Sequence, residues 1–458
     1  MNLETFPFPI FREVSVPVTA NIFSSDFSEK PYWWNDWHPH DASLAEVPKE
    51  ADVAIVGAGY AGLTCALELR KAGLDVVVLE ADVPGSGAST VSGGQTSGGA
   101  NVGKKPTGRS LDSAAASGRE IALLQEAAEG YRIFERLVQE HEIDCLYRRS
   151  GRIVAAWTHE HLDAWKIKLE KLNHYTGADG HLMSPDEMRS ELNSSIYAGG
   201  VLLKHAGQVH PSLFFAGLLK AARSLGVTVC SHAGVTHIAR RDGGYRLDTV
   251  RGPVKAKRVV IATNGYTGEF MPDLQRRVIP VTSHQIATEE LPDDLRNSLI
   301  PNDRVVAETK RVSNYYRMSP DGKRMLFGGR ARFFKMDRRE SASVLHAQLV
   351  ARFPQLRDVK VAYSWGGFVG LTFDFLPHLN MTEGMYYALG CNGSGVTMMT
   401  YLGYKTAHLI IDGQAVETSA FGRPLPSNPL YRGKPWFMPL LGTYYQVRDD
   451  LEKRRDRT

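Results

Sequence analysis

Residues 52–81 read DVAIVGAGYAGLTCALELRKAGLDVVVLEA, and three patterns follow one another inside them. Val53, Ile55 and Val56 make a short apolar run. Ala61, Leu63, Ala66, Leu67 and Leu69 recur at helical spacing, and after Gly73 a second apolar run covers Val76–Leu79. Two apolar runs joined by a helix predict a right-handed βαβ unit with parallel strands. Between the first run and the helix stand Gly57, Gly59 and Gly62, in the spacing GxGxxG. The first permits a tight turn, the second removes a Cβ that would block a pyrophosphate, and the third lets helix and strand pack closely. Phosphates then sit on free N–H groups at the positive end of the helix. Glu80 closes the second run at the offset where an acid accepts hydrogen bonds from ribose hydroxyls; an acid there argues against a 2′-phosphate. Ala58, Tyr60 and Ala61 within the turn, and Ala81 after the acid, are counted with this dinucleotide site.

A segment of small residues follows: Gly85, Gly87, Ala88, Ser89, Thr90, Ser92, Gly93 and Gly94, then Gln95. Backbone this bare can lie along a long flat ligand and donate N–H groups to it. Near the other end of the chain, Gly390, Gly393 and Gly395 open a further helix from Val396, with Ser394 and Thr397 in the same turn. Such a helix start suits a group that becomes negative, as reduced flavin does around N1 and the C2 carbonyl. Between them lie Ala262, Thr263, Asn264 and Gly265, and upstream Val235 is counted with the same ligand. Two glycine-opened helices with this turn between them fit one extended cofactor better than two unrelated turns.

The 458 residues are 43% hydrophobic and 23% charged, which excludes wholesale disorder, collagen-like repeats and a disulfide-stapled miniprotein. Lys+Arg 54 against Asp+Glu 50 gives +4, too mild to imply nucleic acid. Cys65, Cys145, Cys230 and Cys391 are scattered singly, so neither a metal site nor an oxidising compartment is expected. The start, MNLETFPFPIFREVSVP, lacks the pattern of a secretory signal, and no segment reaches the ~18 apolar residues of a membrane span. The expectation is a cytoplasmic protein. The tail LEKRRDRT alternates acids and bases and reads as a solvated end.

The segments DVAIVGAGYAGLTCALELRKAGLDVVVLEA, GSGAST, GQVHPSLFFAGLLKAA, VVIATNGY, WGG…TFDFLPH and GCNGSGV together resemble the FAD-dependent D-amino acid oxidase/glycine oxidase family. Within it, KPYWW and PLYRGKPWFMPLLGTYYQVRD resemble γ-glutamylputrescine oxidoreductase-like amine oxidases. The resemblance implies an α/β fold in which a Rossmann-type FAD-binding domain is interleaved with a mainly antiparallel α+β substrate domain. The expected division is an N-terminal arm (1–45), FAD-binding segments 46–145, 205–275 and 358–415, substrate-domain segments 146–204 and 276–357, and a C-terminal arm (416–458). Some relatives tether FAD through a His or a Cys. Here the matching regions read STVSGG and FVGLTFDFLP, with neither, so the resemblance implies non-covalent FAD.

The chemistry implied is hydride transfer from a C–H beside nitrogen to flavin N5, hydrolysis of the imine, and reoxidation by O2 to give H2O2. The substrate implied is a small amine or amino acid, a γ-glutamylated amine being the leading case. Alternatives are a dehydrogenase passing electrons to a quinone or carrier protein, a non-catalytic FAD protein, and an NAD-linked dehydrogenase. The oligomeric state stays open. Expected around the substrate are His284 in VTSHQIAT, Trp365, and Asn392 beside the second glycine turn. Tyr315 and Tyr316 alternate, so only one faces inward; Tyr316 is the residue expected there. Arg317 is expected to pair with a substrate carboxylate.

Overall fold

The computed structural model describes residues 21–41, 44–100, 118–241, 243–330 and 336–456. The glycine stretch forms the unit that its pattern predicts. Glu50–Val56 and Val76–Leu79 pair in parallel, Val53 opposite Val76 and Val56 opposite Leu79, joined by the helix Tyr60–Lys71. Helices and a second layer cover these strands on both faces, which is why they read as unbroken apolar runs. Thr228–Cys230 extends the sheet on one side and Gly252–Ile261 on the other, both in parallel. Met385–Leu389 pairs in parallel with the end of Gly252–Ile261. The hairpin Val235–Arg241/Gly244–Thr249 and the strand His378–Thr382 complete eight strands among the described residues. Asp242, in the expected hairpin turn, lies outside the described residues.

The second glycine-opened helix, Gly395–Asp412, crosses Tyr60–Lys71 backbone to backbone. Only glycine allows this approach: a Cβ on Gly403 would stand 2.2 Å from the Ala61 carbonyl oxygen. One tight helix pair thereby fixes both glycine turns relative to each other.

The other sheet has nine strands among the described residues, in the order Phe23–Ser28, Val361–Leu371, Ile279–Thr288, Met325–Gly329, Tyr315–Met318, Val305–Glu308, Arg152–Ala156, Gly199–Leu203, Gly180–Met183. It is antiparallel except where Phe23–Ser28 meets Val361–Leu371 and Val305–Glu308 meets Arg152–Ala156. The helix Arg338–Arg352 packs on one face, where Ile286, Tyr316, Phe327, Leu345 and Phe353 form a second core. Alternation then turns Ser283, Gln285 and Tyr315 to the opposite face, toward the glycine turns.

Both arms are built into the fold. Phe23–Ser28 is an edge strand, and Trp33 is fully buried, its Nε1 donating to the Ser92 carbonyl at 2.9 Å. Trp34 Nε1 donates to Thr90 Oγ1 at 3.1 Å, so this indole pair holds the 90–92 loop. Residues 1–20 of the expected arm lie outside the described residues. The C-terminal arm contains the helix Met438–Arg455. In the tail read as solvated, Leu451, Arg454 and Arg455 are exposed, while Lys453 Nζ donates to the Trp157 carbonyl at 2.7 Å and Asp456 accepts the His159 N–H at 2.8 Å; residues 457–458 lie outside the described residues. Among the described residues no helix is long and apolar enough to cross a membrane.

Candidate active site

A cavity of about 1020 Å³ lies where the glycine turns face the nine-stranded sheet, at the upper end of the range for ligand sites. Gly57 takes φ +104°, and a Cβ there would reach the Ala262 carbonyl oxygen at 3.0 Å. A Cβ on Gly62 would stand 1.9 Å from the Gly57 oxygen, so the helix sits directly behind the turn. Gly59 differs. Its Cβ would meet only Ser89 Oγ, at 3.3 Å, so the space in front of it is open. Glu80 braces the turn from the side: Oε2 accepts the Ala58 N–H at 2.8 Å and Oε1 the Asp82 N–H at 3.2 Å. Burial pushes its carboxyl up. Asn264 Oδ1 accepts the N–H groups of Gly390 and Cys391 at 3.0 and 3.3 Å, tying the central turn to the second glycine turn.

Three residues expected at the cofactor stand behind the wall. Gly62 packs as described. Thr90 donates to the Gly85 carbonyl at 2.7 Å and shapes the loop, and Gly265 packs on Gly370. The others line the cavity: 57–61, Glu80, Ala81, 87–89, 93–95, Val235, 262–264 and 393–397. An elongated cradle of bare backbone, open before Gly59 and floored by a second helix start, suits a dinucleotide with a flat ring system.

The substrate residues require correction. Tyr316 points into the second core, its hydroxyl 2.8 Å from that of Tyr197; Tyr315 is the one facing the cavity. His284 lies on the strand between Ser283 and Gln285, so it points to the other face; burial pushes its imidazole down to about 4, leaving it neutral. Trp365 donates to the Val91 carbonyl at 3.0 Å and packs on the N-terminal indoles, away from the cavity. Asn392 does line the cavity, but its amide is engaged: Oδ1 accepts the Thr372 N–H at 3.0 Å and Nδ2 donates to the Gly390 carbonyl at 2.8 Å.

Arg317 is 1% exposed and does not line the cavity. Its guanidinium donates to the carbonyls of Gly94 at 3.0 Å, Val209 at 2.9 Å and Met318 at 3.1 Å, and stacks over Trp33. It therefore fastens the loop at Gly94 to the sheet. Arg317→Met, by stranding these carbonyls, is expected to cost about 2–4 kcal/mol of stability. The KM of the folded fraction for a carboxylate substrate should stay unchanged. Thermal unfolding beside steady-state kinetics checks this, and a raised KM at unaltered stability would return Arg317 to the substrate.

The residues that sequence reading missed come from strand faces and from the C-terminal arm. Arg152, Arg311, Arg330, Ser283, Gln285 and Tyr445 join Tyr315 in the cavity wall. The Tyr315 ring lies over Gly93 and Gly328, where a Cβ would come within 2.7 and 2.4 Å of it. Its hydroxyl is 3.0 Å from Ser283 Oγ, and burial pushes the phenol up. Burial also pushes the Arg152 guanidinium down to about 10. The sheet wall is cationic and phenolic, opposite a cradle of main-chain N–H groups.

A model of the FAD dependent oxidoreductase family, DAO, matches residues 52–409. The chain belongs to this family. Gamma-glutamylputrescine oxidoreductase of Escherichia coli (strain K12) is 33% identical over 426 residues, covering 91% of this chain and 96% of that protein. Among solved structures, glycine oxidase from Geobacillus kaustophilus superposes with a TM-score of 0.67 at 22% identity, covering 83% of this chain and 100% of that one. L-proline dehydrogenase from P. horikoshii gives a TM-score of 0.68 at 17% identity, covering 85% and 98%. As a member of the FAD dependent oxidoreductase family, the protein is a flavin-dependent oxidoreductase of α/β architecture, and the cradle opening on Gly59 matches that cofactor in shape and chemistry.

Proposed function

We propose that this enzyme oxidises the C–N bond of an amine that also carries a carboxylate, a γ-glutamylated amine being the leading case, with O2 as electron acceptor. The observation that carries the reading is the wall opposite the cradle. Arg152 and Arg330 line it together with Tyr315. Guanidinium groups bind carboxylates bidentately and hold them most firmly where water is excluded. The relative named for γ-glutamylputrescine supports the same substrate class.

The chemistry that FAD supplies when bound is acceptance of a hydride equivalent from the carbon beside nitrogen. The residues orient. Gln285 is fixed by a 2.7 Å bond from Nε2 to the Val91 carbonyl, and Tyr315 stays protonated under burial, so both keep fixed hydrogen-bonding roles. Among the described residues of the sheet wall that line the cavity, none is Asp, Glu or His. In this reading the amine enters in its neutral form, so that hydride transfer needs no protein base. Non-covalent FAD is part of the proposal: no histidine is among the described lining residues, and Cys391 Sγ lies 3.7 Å from the Gly370 carbonyl oxygen.

Anaerobic mixing tests the reading. The visible flavin band should bleach with γ-glutamylputrescine far faster than with putrescine or glycine, and admitted air should restore it with one H2O2 per flavin. A flavin that no amine bleaches ends the reading. Bleaching that air does not reverse into peroxide assigns the electrons to a quinone or carrier protein.

A further inference from the structure

The family match ends at residue 409, but the cavity does not. Phe437, Met438, Leu441 and Tyr445 also line it, the last three from the helix Met438–Arg455. Met438, Leu441 and Tyr445 share one helix face, and the next positions on that face are Asp449 and Glu452. These two acids hold the helix down. Asp449 is 3% exposed and accepts three bonds: Arg311 N–H at 3.2 Å, Arg311 Nη1 at 2.9 Å and Val312 N–H at 2.9 Å. Glu452 accepts from the same guanidinium at 2.6 and 2.8 Å. Arg311 lines the cavity as well, and Tyr445 stands within electrostatic reach of both Arg311 and Arg330. One helix outside the family domain thus supplies an apolar strip and a phenol, and its two acids neutralise and fix Arg311 at the same cavity.

We propose that the C-terminal helix Met438–Arg455 is the specificity-determining wall of this enzyme, selecting an extended amine with a carboxylate-bearing end over short amines. Tyr445 touches that end, and Asp449 is a positioning residue that acts through Arg311. The proposal rests on the amine-oxidising reading above and deepens it. A short amino acid carries its carboxylate one bond from the reacting carbon and fills little of the cavity. A long acylated amine reaches the helix, where Met438 and Leu441 cover its methylenes and Tyr445 beside Arg330 meets its carboxylate.

The test uses the full-length holoenzyme with γ-glutamylputrescine and putrescine as probes. Tyr445→Ala should raise KM for γ-glutamylputrescine by about tenfold, the size of one hydrogen bond to a charged group, and change the KM for putrescine far less. Glutarate binding, read as a shift of the flavin band, should weaken by a similar factor without any turnover. Asp449→Asn should raise the same KM, and Asp449→Glu should restore part of it. Flavin content and thermal unfolding are followed alongside; should Tyr445→Ala lose its flavin, Tyr445→Phe takes its place with the same expected direction. Equal changes for both amines, or none for either, overturn the role of the helix while leaving amine oxidation intact. A wild-type enzyme that oxidises no amine overturns both.

Discussion

Gly59→Val should purify as a folded protein without colour. A Cβ at this position meets only the Ser89 hydroxyl, at 3.3 Å, and no backbone, so the fold has only a side chain to shift by a few tenths of an ångström. The ligand does not, because the branch fills the place where a pyrophosphate lies against the helix start. Each charge-assisted bond from a main-chain N–H to phosphate is worth about 1.5–3 kcal/mol, so losing one lowers FAD affinity by about tenfold or more, and losing two by more than about a hundredfold. Gly62 offers no such separation, since its Cβ would stand 1.9 Å from the Gly57 oxygen and disturb the fold itself. The check is the flavin absorbance per chain after desalting, with circular dichroism to confirm folding. Boiled wild-type protein should leave its flavin in the supernatant, as non-covalent binding requires. A valine variant that keeps normal flavin would refute the cradle.

The second large effect is on stability. Glu308 is fully buried beneath the cavity wall, between Arg352 Nε at 2.8 Å and Lys310 Nζ at 3.3 Å, and it accepts from Tyr197 Oη at 2.8 Å and the Asn314 N–H at 3.1 Å. Burial alone would raise its carboxyl; the charges of Arg352 and Lys310 overcome this and bring it from an ordinary 4.5 down to about 2. Glu308→Gln leaves two buried cations without their anion and should cost about 3–5 kcal/mol. Because the folded value lies below the unfolded one, about 3 kcal/mol of stability is present above pH ~5 and lost as pH falls through ~2. The Tm difference between wild type and Glu308→Gln should therefore be widest near neutrality and shrink in acid. A difference that stays constant down to pH ~2.5 would remove the carboxylate as its cause.

What could be read from the chain, and what could not, divides along a physical line. Gly57, Gly59 and Gly62 answer to local backbone constraints, so their spacing carries their function wherever the rest of the chain goes. The substrate wall answers to strand phase. Tyr315 and Tyr316 are both aromatic neighbours on one strand, and only the packing of Arg338–Arg352 on the far face decides which turns inward. His284 was lost to the same ambiguity, since its neighbours Ser283 and Gln285 face the cavity. Arg317 shares the face of Tyr315 yet is consumed by carbonyls that come from residues 94 and 209, a pairing visible only in three dimensions. The C-terminal helix hid its inner side differently. Leu440, Tyr444 and Val447 are exposed while Leu441 and Tyr445 face the cavity, so the sequence shows apolar residues all round and no contrast to follow.

The edge strand near the amino end has a consequence for biogenesis. Phe23 finds its partner at Val361, so a nascent chain carries residues 23–28 unpaired until almost four-fifths of it has left the ribosome. The segment that follows bears the indoles gripping the 90–92 loop. A chain released before residue 361 would leave residues 23–28 without their strand partner, a bare sheet margin of the kind that invites aggregation.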